Sequence, residues 1–359
     1  MKKYMYGEAG KLRIGIIGLG RVATATHIPV LKQIRTVEIT ACSEVNKDRI
    51  NRVKEFFRIP NLFQDYREMY KSGLIDAVYI CTPPDMHYEA SVAAMKHGIH
   101  VLCEKPMGRT IEEAKKMTAL ADKCDLVLMP GFKYRYNTHL QRAAKCVDSG
   151  KLGEILQVEA AFMTPGPYIS WDPKSDWYMH RENGGVVYDI GVHVIELLNL
   201  LLPQRINSVT AYSHNGYHDY NTPTNVSCSF LLDSGATGTV VFGWRSSVDI
   251  TKVAIYGTGG AVSVSLKSIE YINAGTDPKD RIISHLTNSA NEVKTVTNRI
   301  ISILKGTEVS INDFQQAKAF IAAIEKKAQP PVTGEDAVYV HKVLQAIWES
   351  IDKQCPIYL

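Results

Sequence analysis

The sequence predicts an α/β protein with an N-terminal doubly wound parallel sheet and a C-terminal α+β domain built on a large, mostly antiparallel open sheet. The chain has 359 residues, and domains usually contain roughly 150, so about two are expected. Up to about residue 132, short apolar runs alternate with helical patterns. From about residue 153, β-rich segments follow one another through tight turns. We therefore expect domains at 1–134 and 135–359.

Continuous runs of Val, Ile and Leu predict the first domain, because strands buried on both faces of a parallel sheet have this pattern. The strand-forming runs are 13–18, 37–43, 75–81, 99–103 and 126–132. The helical patterns between them are 22–34, 46–57, 65–72, 85–97 and 110–124.

Consecutive strands with turn residues between them predict the antiparallel sheet of the second domain. Asp233-Ser234-Gly235 is one such turn. The β-rich segments are 154–163, 206–214, 224–232, 236–247, 251–256 and 260–266. The helical patterns are 186–202, 312–328 and 335–353.

Composition excludes several classes of protein. Lys and Arg number 41 and Asp and Glu 37, a net charge of +4 that gives no case for nucleic acid or an anionic membrane. The seven cysteines form no CxxC pair, so neither a disulfide framework nor a cysteine-rich zinc site is expected, and no metal is predicted. No segment reaches the roughly 20 apolar residues of a membrane span, and no secretory signal precedes the first strand. A cytoplasmic protein is expected.

The first chemical signal is a glycine turn directly after the first predicted strand. Gly18 permits the tight turn, Gly20 lets backbone approach a pyrophosphate, and Ala23 lets the following helix pack closely. Arg21 and Val22 complete this G-x-G-x-x-A motif of a Rossmann sheet. The second strand ends at Glu44, whose carboxylate suits ribose hydroxyls and would repel a 2′-phosphate, so NAD is favoured over NADP. A glycine turn with no nucleotide is the alternative.

Two later loops follow strands of the same sheet, where carboxyl ends face the ligand crevice. Lys105 would point toward the nicotinamide and stabilise charge on a substrate oxygen as hydride leaves. Alternatively, Glu104 and Lys105 form a surface pair. Likewise, the loop at 82–87 could be a simple βα turn. The predicted cofactor wall consists of Thr82, Pro83, Pro84, His87, Glu104 and Lys105.

A third signal lies in the apolar helical stretch that follows Gly184-Gly185. Asp189 and His193 are spaced i to i+4, which predicts one helical face. A histidine near a carboxylate can act as general acid or base near neutral pH. The alternatives are a satisfied core histidine, which is commoner, and a metal pair, for which no third ligand is evident.

Together these motifs resemble the Gfo/Idh/MocA oxidoreductases, which include glucose–fructose oxidoreductase and inositol dehydrogenases. The resemblance covers nearly the whole chain. It rests on GLGRVA at 18–23, Glu44, CTPPDMH at 81–87, CEKPM at 103–107, GFKYRY at 131–136, GGVVYDIGVH at 184–193 and PPVTGED at 330–336.

The resemblance implies a nicotinamide cofactor, an open second sheet that often mediates oligomerisation, and usually a sugar, cyclitol or sugar-nucleotide substrate. Lys105, Asp189 and His193 match the family's catalytic group, and Arg135 matches a frequent substrate contact. Asn183 replaces a glycine common in the family. We expect an NAD-dependent dehydrogenase, or a NADP-dependent one less readily, acting on a secondary alcohol.

Two other functions stay open. A catalytically silent NAD- and sugar-sensing regulator would bind the same ligands, although such chains often lose one of the three catalytic residues. A redox-neutral lyase or glycosidase that recycles bound NAD would use the same sites. The roles of Lys105 and His193 as proton acceptor are interchangeable at this stage.

The substrate itself is indicated only by the segment Thr164–Glu182, which is rich in aromatic and polar residues. Such side chains suit sugar rings and hydroxyls, and they equally suit a capping loop. Trp177 is the predicted contact from this segment. A basic cluster for a diphosphate is absent from the sequence, which slightly favours a free sugar or cyclitol. A homodimer or homotetramer is expected through the β-rich face.

Overall fold

The computed structural model describes residues 10–166, 179–216, 221–273, 310–326 and 328–359. The described residues form two compact units: 10–133 with 310–341, and 134–273 with 342–359. This grouping differs from a single division near residue 134, because residues 310–341 belong to the first unit. The domain bounds 1–134 and 135–359 stay a prediction.

The first unit is built on a parallel sheet that has six strands among the described residues, in the order β3-β2-β1-β4-β5-β6. Its strands are β1 (Leu12–Ile17), β2 (Val37–Ser43), β3 (Asn61–Phe63), β4 (Ala77–Ile80), β5 (His100–Cys103) and β6 (Leu128–Pro130). Its helices are a π-helical turn (Ala23–His27) that continues as α1 (Ile28–Leu31), then α2 (Lys47–Phe57), α3 (Tyr66–Lys71), α4 (Pro84–Lys96) and α5 (Ile111–Cys124).

Local chemistry sets the helix starts. Asn46 and Thr110 accept hydrogen bonds from backbone amides in the first turns of α2 and α5. Proline at the first position begins α4, where a missing amide hydrogen costs nothing. These residues define where each helix begins, just after the βα loop at the carboxyl edge of the sheet.

The second unit contains a sheet of eight described strands in the order β13-β12-β11-β7-β10-β9-β8-β14. All neighbouring pairs are antiparallel except β7 with β10. The strands are β7 (Ile155–Met163), β8 (Ile206–His214), β9 (Asn225–Leu232), β10 (Thr237–Gly243), β11 (Ile250–Gly257), β12 (Gly260–Ser265), β13 (Ile269–Asn273) and β14 (Ile357–Tyr358). The predicted fold class is confirmed.

The helices of the second unit include one buried element that carries two predicted site residues. They are α6 (Thr138–Asp148), a π-helical turn (Val187–Gly191) and α7 (Val192–Leu201). The stretch Arg181–Leu201 is long and apolar enough to cross a membrane by length and composition, and 83% of its most apolar window is buried. That degree of burial is typical of a core helix.

Two more helices precede β14 in the described chain: α8 (Ile311–Lys326) and α9 (Gly334–Lys353). α8 belongs to the first unit because its buried Phe320 packs edge-on against Tyr79 of β4, with ring centroids 5.6 Å apart. The sequence pattern predicted this helix but gave no indication of the sheet on which it packs.

Candidate active site

Four neighbouring parallel strands, β2, β1, β4 and β5, end in register, which aligns the residues that follow them. Ile17 is paired with Ser43 and with Ile80, and Ile80 is paired with Cys103. The next residues are Gly18, Glu44, Cys81 and Glu104. The predicted cofactor residues of the first unit therefore form one row along the carboxyl edge of its sheet.

Gly18 makes a turn that no other residue fits. Its φ is +81°, and a Cβ placed there would lie 2.7 Å from the carbonyl oxygen of Cys81. By contrast, a Cβ on Gly20 would meet nothing within 4 Å. Gly18 therefore permits close packing between neighbouring strands, whereas Gly20 faces open space at the start of the helix. Arg21 and Val22 follow it and are both exposed.

Glu44 is buried beneath this turn. One of its carboxylate oxygens accepts a hydrogen bond from the backbone amide of Leu19 at 2.8 Å, and the other accepts from the amide of Asn46 at 3.0 Å. Arg49 lies 3.6 Å from the first oxygen. The acid that the sequence placed at the end of β2 thus ties the glycine turn to β2.

His87 joins the two loops predicted to form the cofactor wall. Its Nδ1 lies 2.7 Å from the carbonyl oxygen of Pro106, and its Nε2 lies 2.8 Å from that of Thr82. Burial alone would lower the pKa of His87, but Cys103 and these two carbonyls raise it to about 9. An imidazolium can donate to both carbonyls, so both ring nitrogens serve the protein itself.

Three more wall residues lie in the loop after β4 and at the first position of α4. Thr82 is half-buried, Pro83 is exposed, and Pro84 is buried at the start of α4. The hydroxyl oxygen of Thr82 is buried and has no hydrogen-bond partner within the described part of the chain.

Glu104 and Lys105 follow β5. Glu104 Oε1 lies 2.7 Å from His27 Nε2. Glu104 Oε2 accepts a hydrogen bond from the backbone amide of Lys105 at 3.2 Å. Burial would raise the pKa of Glu104, but His27, Lys133 and Lys105 hold it at about 2. Glu104 is therefore a carboxylate that fixes the backbone of Lys105, and it is more than a surface partner of that lysine.

These residues fit a dinucleotide. The open space over Gly20 at a helix start suits a pyrophosphate, since backbone amides and the helix dipole favour an anion there. The orphaned Thr82 hydroxyl lies on the same edge and needs a polar partner.

In the second unit, Asp189 lies in the π-helical turn and is 2% exposed. Its Oδ2 accepts a hydrogen bond from the indole Nε1 of Trp244 at 2.8 Å. Trp244 is itself buried directly after β10. The sequence pattern did not reveal this tryptophan, although a buried indole N–H generally has an acceptor.

His193 lies in the first turn of α7, four residues after Asp189. Its ring stacks on Phe162 with centroids 5.4 Å apart and meets the edge of Tyr134 at 5.0 Å. Two aromatic rings therefore fix the plane of the imidazole. The predicted single α-helix is instead a π-helical turn leading into an α-helix, and such turns are frequent at functional sites.

The glycines before Asp189 have neighbours within their own unit. Gly184 and Gly185 have φ values of +91° and +51°. A Cβ on Gly184 would overlap Tyr188, and one on Gly185 would overlap Thr222. Close approach of protein side chains thus accounts for both glycines.

Arg135 is held by a buried partner that the sequence did not reveal. Its Nε donates to Glu196 Oε1 at 2.8 Å, and the Glu196 side chain is 1% exposed. Glu196 lies on α7, one turn after His193. The predicted substrate contact Arg135 therefore also anchors its own 3₁₀ turn to the helix of His193. Trp177 lies outside the described residues.

Comparisons with known proteins agree with this geometry. Residues 12–132 match the "Oxidoreductase family, NAD-binding Rossmann fold", and residues 140–263 match the "GFO/IDH/MocA C-terminal domain". A myo-inositol 2-dehydrogenase of Thermotoga maritima is 28% identical over 200 residues, which are 56% of this chain and 58% of that protein. A D-xylose 1-dehydrogenase (NADP(+)) of Haloferax volcanii is 27% identical over 97% of this chain and 100% of that protein.

A solved structure extends the likeness in fold to nearly the whole chain. The WlbA dehydrogenase from Bordetella pertussis, crystallised with NADH and UDP-GlcNAcA, has a TM-score of 0.83 at 21% identity, covering 97% of this chain and 98% of that one.

The row of residues along the first sheet defines a dinucleotide-binding oxidoreductase of the Rossmann class. With both of its domains matched, the chain belongs to the Gfo/Idh/MocA oxidoreductase family.

Proposed function

We propose that the protein is an NAD-dependent dehydrogenase that moves a hydride between nicotinamide and a secondary alcohol of a sugar, a cyclitol or a derivative of either. The observation that carries this proposal is the position of Lys105. It is the second residue after β5, on the sheet edge that bears the glycine turn and Glu44. The names of the relatives, which act on inositol and xylose, support the substrate class.

The proposed chemistry assigns one task to each polar group. His193 accepts the proton of the substrate hydroxyl as general base, while Lys105 stabilises the charge that develops on the same oxygen. Asp189, held by Trp244, orients the substrate or His193. When bound, the nicotinamide would take up the hydride. Trp177 and Arg135 are proposed as further contacts to the substrate.

The test measures NADH absorbance with purified protein, NAD and a panel of sugars, cyclitols and sugar nucleotides. Lys105→Met and His193→Phe should each lower kcat about 10²- to 10⁴-fold, the usual contribution of a general acid or base. The matched control is Lys96→Met. This exposed lysine is the last residue of α4, and the loop that contains Thr82 lies at the opposite end of that helix. Full turnover by Lys105→Met would overturn the assignment.

Absence of turnover would point to one of the other two functions. NAD binding without any chemical change in the ligand would support a sensor. Conversion of a glycoside without net NADH, detected by mass spectrometry, would support the redox-neutral enzyme. Each outcome replaces the dehydrogenase proposal with a specific alternative.

We propose NAD as the preferred cofactor because the buried Glu44 carboxylate would repel a 2′-phosphate. Glu44→Ser should lower the ratio of kcat/KM for NAD to that for NADP by about tenfold or more, since tenfold requires only about 1.4 kcal/mol. Asp48→Ser is the control, because this acid lies in the first turn of α2 after Glu44. A wild-type preference for NADP would contradict the proposal.

A further inference from the structure

Three buried histidines converge on the short loop that carries Lys105. They are His27, His87 and His341, and each is 1% exposed. They come from the π-helical turn Ala23–His27, from α4 and from α9, respectively. His27 contacts the Glu104 carboxylate at 2.7 Å, His87 the carbonyl of Pro106 at 2.7 Å, and His341 Nε2 the carbonyl of Met107 at 3.1 Å.

This concentration is selective. The chain contains 11 histidines. Within the described part of the first unit, His100 is the remaining buried histidine, and it lies at the start of β5, at the end opposite the loop. Its Nδ1 accepts the backbone amide of Val127 at 2.9 Å. The three converging histidines contact loop residues on both sides of Lys105.

The contacts constrain Lys105 through its backbone. Its own amide donates to Glu104 Oε2, and Glu104 is held in turn by His27. Glu104 is also confined by Gly131, where a Cβ would approach the Glu104 Cα to 3.1 Å. On the carboxyl side, His87 and His341 hold the next two carbonyls. The loop is thus fixed by side chains from three separate elements.

We propose that His27, His87 and His341 are positioning residues, which set the reach of the Lys105 ammonium by fixing the backbone on either side of it. This inference rests on the proposed function of Lys105. The histidines do not act on substrate; they preserve a geometry in which misplacement of a reacting group by about 1 Å can cost about 10²-fold in rate. Buried side chains that hydrogen-bond next to a functional group in this way keep that group ordered.

The test compares two polar replacements at each of His27 and His341. In both, the contacting atom is Nε2, which the amide nitrogen of glutamine can replace, whereas asparagine is one bond shorter. Asn variants should lower kcat about tenfold to a hundredfold with little change in KM for substrate, and Gln variants should recover most of the loss. His100→Asn is the matched control, and its kcat should equal that of wild type even where its melting temperature falls.

Hydrogen exchange at the Lys105 amide separates this inference from the proposed function. Exchange should accelerate in His27→Asn and His341→Asn, and stay at the wild-type rate in His100→Asn. If the wild type oxidises no alcohol, the dehydrogenase proposal fails while the exchange rates still test the anchoring. Unchanged exchange at Lys105, or equal kcat losses in the Gln, Asn and His100 variants, would overturn the positioning role.

Discussion

Asp189 illustrates how a single hydrogen bond can prepare a residue for chemistry. A carboxylate that is 2% exposed needs donors, and the indole N–H of Trp244 is one of them at 2.8 Å. Removing one partner of a buried polar pair costs more than the bond itself, because the remaining group stays desolvated. Trp244 should therefore matter both for stability and for the orientation of Asp189.

Trp244→Phe removes this donor and keeps most of the apolar ring. The free energy of unfolding should fall by about 1–3 kcal/mol, the cost of an unsatisfied buried acceptor, and kcat should fall together with it. Urea unfolding and steady-state kinetics measure the two effects. In the control, Trp348→Phe alters a half-buried tryptophan that stacks with Arg181, and kcat should not change. Wild-type kcat in Trp244→Phe would show that Asp189 needs no such orientation.

At the scale of elements, the Arg135–Glu196 pair connects the 3₁₀ turn at Lys133–Tyr136 to α7. The Glu196 carboxylate is removed from water and the Arg135 side chain is 14% exposed, so their attraction mainly offsets a desolvation cost. Their contact fixes the turn against the helix that carries His193. Loss of one partner removes the neighbouring opposite charge from a side chain that stays mostly buried.

Glu196→Gln should therefore destabilise the protein by about 3–5 kcal/mol, as measured by urea unfolding. The double variant Arg135→Met/Glu196→Met should recover most of that loss, because apolar residues of similar volume can replace a buried pair. Glu349→Gln breaks an exposed pair with Lys353 on α9 and should change stability little. A double variant as unstable as Glu196→Gln would mean that the charges themselves are required.

The sequence predicted long elements well because their burial pattern is periodic. The observed β2 and β8 match their predicted ranges, Val37–Ser43 and Ile206–His214. The three-residue β3 and two-residue β14 were missed, since neither contains enough residues to show alternation. α6 was also missed, although its cap Asn137 and the strongly apolar face around Leu140 were readable.

The candidate site was predictable only where a motif carries its own chemistry. Gly18 and Glu44 occupy one sheet edge as expected, because strand, turn and acid have fixed spacing. Partners that are distant in sequence were not predictable. His341 contacts Met107 across 234 residues of chain, and Trp244 contacts Asp189 across 55. Such pairs depend on tertiary packing and leave no local pattern.

At the scale of the whole molecule, buried histidines make stability depend on pH in two directions. The folded pKa of His87 is about 9, above the roughly 6.5 of an unfolded histidine, so its stabilisation is complete below pH 6.5 and is lost as pH rises through 9. Burial lowers the pKa values of His100 and His341 to about 4. Their contribution is present above pH 6.5 and is lost as pH falls toward 4.

Urea unfolding between pH 4 and pH 9 should therefore show the greatest stability near pH 6.5. The alkaline limb should fall by at most about 3 kcal/mol from His87, given the difference between its two pKa values. His87→Gln should flatten that limb and leave the acid limb unchanged, whereas His341→Gln should make the acid limb less steep, because His100 still contributes to it. An alkaline limb that is unchanged in His87→Gln would contradict the assignment of His87 as an imidazolium that donates hydrogen bonds to two carbonyls.

The open face of the second sheet leads to a prediction about assembly. On β9 and β10, Val226, Phe230 and Phe242 are buried on one side, whereas Leu231 and Val241 are exposed on the other. Tyr212 of β8 lies on that exposed face and is paired with Ser227, which is paired in turn with Val241. Apolar side chains exposed together on a sheet mark a surface suited to another chain.

We therefore expect a homodimer or homotetramer through this face, with a mass by light scattering of two or four times that of one chain. Val241→Glu would bury a charge in such an interface and should shift the mass toward the monomer at micromolar concentration, because an unpaired buried charge is costly. Val248→Glu is the matched control, since Val248 is exposed in the loop between β10 and β11. A wild-type monomer, or equal dissociation by both variants, would show that this face is not the interface.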